Sequence, residues 1–482
     1  MWVRLDVLLV VDRLPSPINA FPDSNQAMHR LKLSNELKYR FIEPSHSRIV
    51  MWLGKFYTNR KLRRNQKVHD IHVHGLEKLQ ALIGQGDGIL LTPNHSDHAD
   101  SALMFHLGRM VKKPFYFMAT HAIFTGFNWF VLPRIGCFPV DREGTDLKAL
   151  RKAQEILTHG KTPLVIFPEG EIYRLNDQIT PLREGVSAVA IMAARKAKDH
   201  GRKVWVVPVG IKYRFLESVD PVPWLTDLLN RLEKKFDWRE VPDRTLLERI
   251  YRYATGMLSL KEIEYMGAVQ SGTPRERVSR LREYVLETVE EKLHINQIKA
   301  RTKSIPERVK ECRRIIIERW SDPARDPNML PEWKQDLEDL FMVVQLYSYP
   351  GDYVMNSPTC ERASEILIKF KQDAMRSDTK VARHYVPRRA SIYIGEPIEV
   401  QKFVQSVDKK VPSGQSPETP VAKDQEASSK SRKASSLLTE LLEHKLQELL
   451  NLGGPGRLLP GASFHHAEHH DTNHAQNATD MT

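Results

Sequence analysis

Cysteine is scarce in this chain. Cys137, Cys312 and Cys360 are an odd set without paired spacing among 482 residues, which excludes a disulfide framework and fits a reducing compartment with three plain thiols. Long apolar runs are missing too: nowhere do about 18 apolar residues follow one another, as a spanning helix requires. The opening stretch from Met1 to Asp12 carries a charge every few residues, and its apolar run is too short for a bilayer span or a secure signal peptide. Membrane contact is therefore expected to be peripheral, through an amphipathic face or a basic surface. There is no internal repeat. No nucleic-acid motif accompanies the formal net charge of +12, so an anionic membrane surface is the expected acidic partner and nucleic acid is not.

What the chain does have is an alternation of short apolar strands with helical stretches, the pattern of an α/β sheet with covering helices. Residues 71–75, 89–91, 115–118, 163–167 and 204–210 read as strands. Residues 1–66 are expected to form a loosely ordered lead-in and a basic helix. The apolar members of that helix, Ile49, Trp52, Leu53, Phe56 and Tyr57, are spaced on one face, with Arg48, Lys55, Arg60, Lys61, Arg63 and Arg64 around and beyond them. Two readings are open: a cationic surface helix packed on the core, which is the commoner fate of such a stripe, or a helix lying on an anionic leaflet. Residues 67–216 are expected to be the α/β core and 217–385 a helical insertion, whose clearest signal is the capping box of Thr273 and Glu276 ahead of Val278, Leu281, Val285 and Val289. Residues 386–403 return to strand character and close the core. Residues 404–482 have the Lys, Ser, Pro, Glu and Gln content of a disordered tail, interrupted by a short amphipathic helix over 436–452. The fold class expected is thus a mixed α/β sheet flanked by helices, with a large helical insertion and a disordered C-terminal tail.

The strand at 89–91 ends at Pro93-Asn94 and runs into His95-Ser96-Asp97-His98-Ala99-Asp100. Chemistry in α/β proteins gathers at such carboxyl ends. If Ser96 or Asp97 caps a following helix, one turn carries Asp100 back to the His95 imidazole. A carboxylate there fixes the ring tautomer and stabilises the imidazolium. With no Ser or Cys nucleophile supplied, the pair suits general-base removal of a proton from a substrate hydroxyl.

Four ordered blocks then resemble the glycerolipid acyltransferase family that includes 1-acylglycerol-3-phosphate acyltransferases. They are Asn94-His95 with Asp100, Gly136 to Arg142, Phe167-Pro168-Glu169-Gly170, and Val207-Pro208-Val209. The resemblance covers about 73–215, with 392–398 looking like the closing strand. It implies acyl transfer from acyl-CoA or acyl-carrier protein, as co-substrate and with no other cofactor or metal, to a hydroxyl of a glycerol-phosphate, lysophospholipid or related lipid acceptor. His95 would be the general base and Asp100 its partner, with Arg142, Glu169 and Gly170 holding the acceptor. It also implies work at the cytosolic face of a membrane, as a peripheral protein. One departure stands out. The family continues Phe-Pro-Glu-Gly with a small hydroxylated residue and arginine, whereas this chain has Glu171-Ile172-Tyr173-Arg174. A carboxylate at 171 opposes a phosphate dianion; either Arg174 or Arg183 compensates, or the acceptor lacks that phosphate.

Two other classes compete. His95, Asp97, His98 and Asp100 crowd together like the ligands of a metal-dependent hydrolase, although no second cluster completes such a site. A non-catalytic lipid-binding protein would use the basic helix and the leucine-rich segment. The histidines at 465–470 are compatible with loose metal binding but require none.

Overall fold

A computed structural model describes residues 39–142, 146–239, 241, 243–375, 384–410 and 420–463. Its strands are β1 (Val68–His74), β2 (Gly88–Pro93), β3 (Tyr116–Thr120), β4 (Cys137–Val140), β5 (Leu164–Val165), β6 (Val204–Phe215), β7 (Arg388–Ile394) and β8 (Ile398–Glu399). They form one mixed sheet in the order β1-β7-β6-β2-β5-β3-β4, with β8 paired to β6. Strands β6, β2, β5, β3 and β4 run parallel to one another. β7 lies antiparallel to β6 and parallel to β1. The carboxyl ends of the five parallel strands therefore meet the starts of β7 and β1 along one edge.

The apolar runs are continuous because both faces of the sheet are covered. Leu90 joins one core cluster while its neighbours Ile89 and Leu91 join the other. Helices α1 (Arg48–Arg60), α2 (Leu76–Ile83), α3 (Asp100–Met110), α4 (Asn128–Arg134), α5 (Leu147–His159) and α6 (Gly185–Lys198) accompany the parallel strands. The side with α5 and α6 buries Ile156, Val189 and Ile191; the side with α2 and α3 buries Leu79, Leu103 and Leu107.

Between β6 and β7 the chain forms α7 (Val222–Lys235), α8 (Leu246–Met266), α9 (Pro274–Lys292), α10 (Ile305–Ser321), α11 (Leu330–Tyr347) and α12 (Cys360–Met375), beside three one-turn segments. Capping boxes start α8, α9 and α10 at Thr245, Thr273 and Ser304. The stripe Val278, Leu281, Val285 and Val289 is buried against α10 and α11 through Cys312, Ile316, Leu337 and Leu340.

The structure decides between the two readings of α1 and extends the helix expected in the tail. The apolar stripe of α1 is not packed on the core: no residue of that helix is buried, and Ile49, Trp52, Leu53, Phe56 and Tyr57 are each more than half exposed. Its anchor is the π-helical turn that follows, Lys61–Asn65, where Leu62 enters the core. In the tail, the amphipathic helix expected over 436–452 begins earlier. After α13 (Val400–Lys410), α14 runs over Pro420–Leu452, and Leu438, Leu442, Leu446 and Leu450 are fully buried. Those leucines, one per turn, cover a face left open by α6 and β6. Polar contacts fix the register: Ser187 Oγ meets Thr439 Oγ1 at 2.7 Å, the Leu182 N–H donates to Glu443 Oε1 at 2.6 Å, and Lys212 Nζ donates to the Leu450 carbonyl at 2.7 Å. Residues 1–38 and the histidine-rich 465–470 lie outside the described residues.

Candidate active site

His95 leaves the end of β2, where Asn94 holds the backbone to β6. Its side-chain amide donates to the Ile211 carbonyl at 3.0 Å and accepts from the Ile211 N–H at 2.6 Å. The His95 ring stacks on Phe167, with centroids 4.0 Å apart, and its Nδ1 meets Asp100 Oδ2 at 3.0 Å. This leaves Nε2 as the nitrogen free for a reacting proton. Asp100 does not come from a helix capped by Ser96 or Asp97, as the sequence suggests. It is itself the first residue of α3, and the Asp97 side chain is spent inside the preceding turn on the Ala99 N–H, at 2.7 Å.

Asp100 is fully buried and accepts two further hydrogen bonds, from the Asp97 N–H at 2.8 Å and the Tyr213 hydroxyl at 2.5 Å. Burial pushes its carboxyl above the usual range, and the His95 and Tyr213 bonds work against that rise. A second pair lies alongside. Asp97 Oδ2 accepts from His384 Nε2 at 2.8 Å and from Arg388 Nη2 at 3.1 Å. Against a heavy burial penalty, Arg388 and His384 hold Asp97 well below the ordinary carboxylate range. Burial, aided by Arg388, lowers His384 to about 4, so at neutral pH the ring is neutral and donates through its N–H. Of the four clustered side chains of the hydrolase reading, His95 and Asp100 pair with each other, while Asp97 pairs with His384 and Arg388. Among the described residues, no group of three His, Cys, Asp or Glu side chains is placed to hold a metal ion.

The third block follows β5. Glu169 is buried, and both its oxygens are engaged within the protein: Oε1 accepts from the His95 N–H at 2.6 Å and Oε2 from the Thr180 hydroxyl. Burial raises its carboxyl while these donors oppose the rise. Gly170 has φ of +74°, and a Cβ there would meet Arg183 Nε at 2.2 Å, so only glycine fits the turn. Its carbonyl accepts from Arg142. Arg142 also pairs with Glu171, Nη1 to Oε1 at 2.9 Å, with both side chains about a third exposed. The carboxylate that departs from the family pattern is therefore the partner of the arginine that the resemblance assigns to phosphate.

Arg174 is different. It has φ of +55° and is only 9 % exposed. No hydrogen bond or ion pair engages its guanidinium among the described residues. It lies within electrostatic reach of Asp97 and Arg388. His98 is its neighbour too, lowered to about 4 by burial and then by Arg174, with Lys61 adding to the positive field.

Sequence reading missed Tyr213, Thr180, His384 and Arg388. Tyr213 had one available signal, as a polar side chain continuing an apolar strand. The other three reach the site only through tertiary structure.

Residues 70–212 match the family model Acyltransferase, which supports a general acyltransferase assignment for the region spanning β1 to most of β6. No curated protein matches the chain.

Proposed function

We propose that the protein is an O-acyltransferase that moves a fatty acyl group from acyl-CoA or acyl-carrier protein to a hydroxyl of a glycerol-phosphate, lysophospholipid or related lipid acceptor. The observation that carries this reading is the His95 Nδ1 to Asp100 Oδ2 contact at 3.0 Å at the mouth of a buried strand end, within a region matching acyltransferases. His95 Nε2 takes the proton of the acceptor hydroxyl as its oxygen attacks the thioester carbonyl. The tetrahedral intermediate collapses, the carbon–sulfur bond breaks, and the imidazolium returns the proton to the leaving thiolate. Asp100 fixes the tautomer and balances the transient positive charge, and Tyr213 holds the other carboxylate oxygen. Glu169 acts as a positioning residue on the His95 backbone. Gly170 supplies the turn that brings Arg142 to the site. Arg174, buried and without a hydrogen bond or ion pair to its guanidinium among the described residues, is the cation available to an anionic group of the acceptor. The acyl donor is a co-substrate, and no further cofactor or metal is invoked. The setting proposed is the cytosolic face of a membrane, with the protein held peripherally; no helix among the described residues is long and apolar enough to cross one.

Long-chain acyl-CoA, vesicles and acceptors with and without phosphate test the reading through thiol release and product mass. Acceptor-dependent release should fall by about three orders of magnitude or more in His95→Ala, the scale of losing a general base together with its orienting pair. Parent and variant indistinguishable across all acceptors and both donor classes would defeat the reading. Lipid binding without turnover would favour a lipid-binding protein instead.

A further inference from the structure

Helix α1 carries an apolar stripe that the described chain leaves more than half exposed. Ile49, Trp52, Leu53, Phe56 and Tyr57 recur at the spacing of one helical face, and Trp52 is 62 % exposed. In a monomeric surface, so many large apolar side chains in one place mark a binding face. The neighbouring element repeats the pattern. The Ser45 and Ser47 N–H groups donate to the Pro133 and Arg134 carbonyls at 2.7 and 2.8 Å, fastening the start of α1 to the end of α4. The turn into α4 exposes Ile123, Phe127, Trp129 and Phe130, with Phe127 at 78 %.

The charge around this face has one sign. Residues 44–69 contain Arg48, Lys55, Arg60, Lys61, Arg63, Arg64 and Lys67 and no carboxylate, and residues 121–140 contain Arg134 and no carboxylate. Apolar side chains on one helical face, with cations and no anions beside them, complement a leaflet bearing anionic headgroups. A protein partner of like apolar character would not require this charge.

We infer that α1 and the α4 turn form the membrane-docking face of the protein, with the apolar side chains entering the acyl boundary of an anionic leaflet and the cations meeting its headgroups. The assignment extends the membrane setting proposed above and adds a direction to it. The far end of α1 continues into Lys61, which is partly buried and feels the Asp97 carboxylate, while Lys61 in turn acts on His98. The docked helix thus leads into the turn followed by Gln66, whose carbonyl accepts from Arg388 Nε at 2.8 Å, the arginine that also holds Asp97 beside the His95 site.

The test is co-sedimentation of the full-length protein with phosphatidylcholine vesicles, with and without phosphatidylglycerol and at rising salt, in the absence of any acyl donor. The parent should sediment with the anionic vesicles and release as salt rises. Trp52→Glu with Phe56→Glu should weaken partitioning on the order of a hundredfold. Arg63→Ala with Arg64→Ala should weaken it by about fivefold per cation on the anionic vesicles alone. Melting temperatures should match the parent for both variants, and His95→Ala should sediment like the parent. Partitioning unchanged in the Trp52/Phe56 variant would overturn the inference. So would a parent that ignores anionic vesicles, or a glutamate variant that melts early because the face is covered within the fold. Since no acyl donor is present, none of these outcomes bears on acyl transfer itself.

Discussion

A charged side chain is useful to a substrate only if the protein has not already used it. Arg142 and Arg174 illustrate the difference. Arg142 is committed to Glu171 and to the Gly170 carbonyl, while Arg174 is buried near Asp97 with no hydrogen bond or ion pair to its guanidinium among the described residues. Glu171→Ser is therefore expected to free Arg142 for phosphate. The pair is partly exposed, so the gain is modest, about 1 kcal/mol. The KM of a phosphate-bearing acceptor should fall about fivefold, with little change for a neutral one. Adding Arg142→Ala should remove the gain. Equal KM values for parent and variant with both acceptors would mean that the pair has no influence on acceptor choice. At this scale, His95 and Asp100 could be read from sequence because one short turn joins them. The identity of Glu171 was legible as well, but its pairing was not, since that depends on the turn at Gly170 meeting the end of β4. His384 and Arg388 lay beyond reach for the same reason: tertiary structure, and not sequence proximity, brings them in.

Secondary elements were legible where one periodicity dominated. The interior strands showed as apolar runs, and α9 showed through its cap and stripe. Periodicity states that a helix has an apolar face without stating what the face meets, so the stripe of α1 reads as core or leaflet, and the leucines of α14 as facing a membrane, a partner or the main body. The stripe of α1 is exposed. The leucines of α14, in a Lys-, Ser- and Glu-rich stretch, are core. Leu446 is fully buried between α6 and the sheet, so Leu446→Ala should cost about 3 kcal/mol through lost burial and a residual cavity. Urea unfolding would measure it. A cost below about 0.5 kcal/mol would show that α14 does not contribute to the cooperative unit.

For the molecule as a whole, Asp177 is where the parts meet. Its carboxylate pairs with Lys212 at 3.0 Å and Arg214 at 3.3 Å on β6, and with Arg362 on α12 at 3.0 Å. Its own carbonyl accepts from Gln447 Nε2 on α14, at 3.0 Å. Burial opposes the charge, but Arg214, Lys212 and Arg362 outweigh it and keep Asp177 below the usual carboxylate range. Asp177→Ala would strand three partly or fully buried cations, and the expected loss is about 3–5 kcal/mol. The same change should uncouple α12 and α14 from the sheet, read as a lower and broader urea transition. A variant with the parent's midpoint and slope would refute this role. This hub is not legible in the sequence, because its members are spread from just after the third motif block to α14.

The sheet also sets the order in which the site can be completed. β1 is made early, but its partner β7 follows the whole helical block, and Arg388, which steadies Asp97, opens that late strand. A ribosome emitting this chain releases all four motif blocks long before the strand that finishes their surroundings. Until then β1 lacks its partner, β6 presents an open edge, and Asp97 lacks both His384 and Arg388. Such an edge invites pairing with other chains, so activity and resistance to aggregation should arrive together, late in synthesis, when β7 slots between β1 and β6.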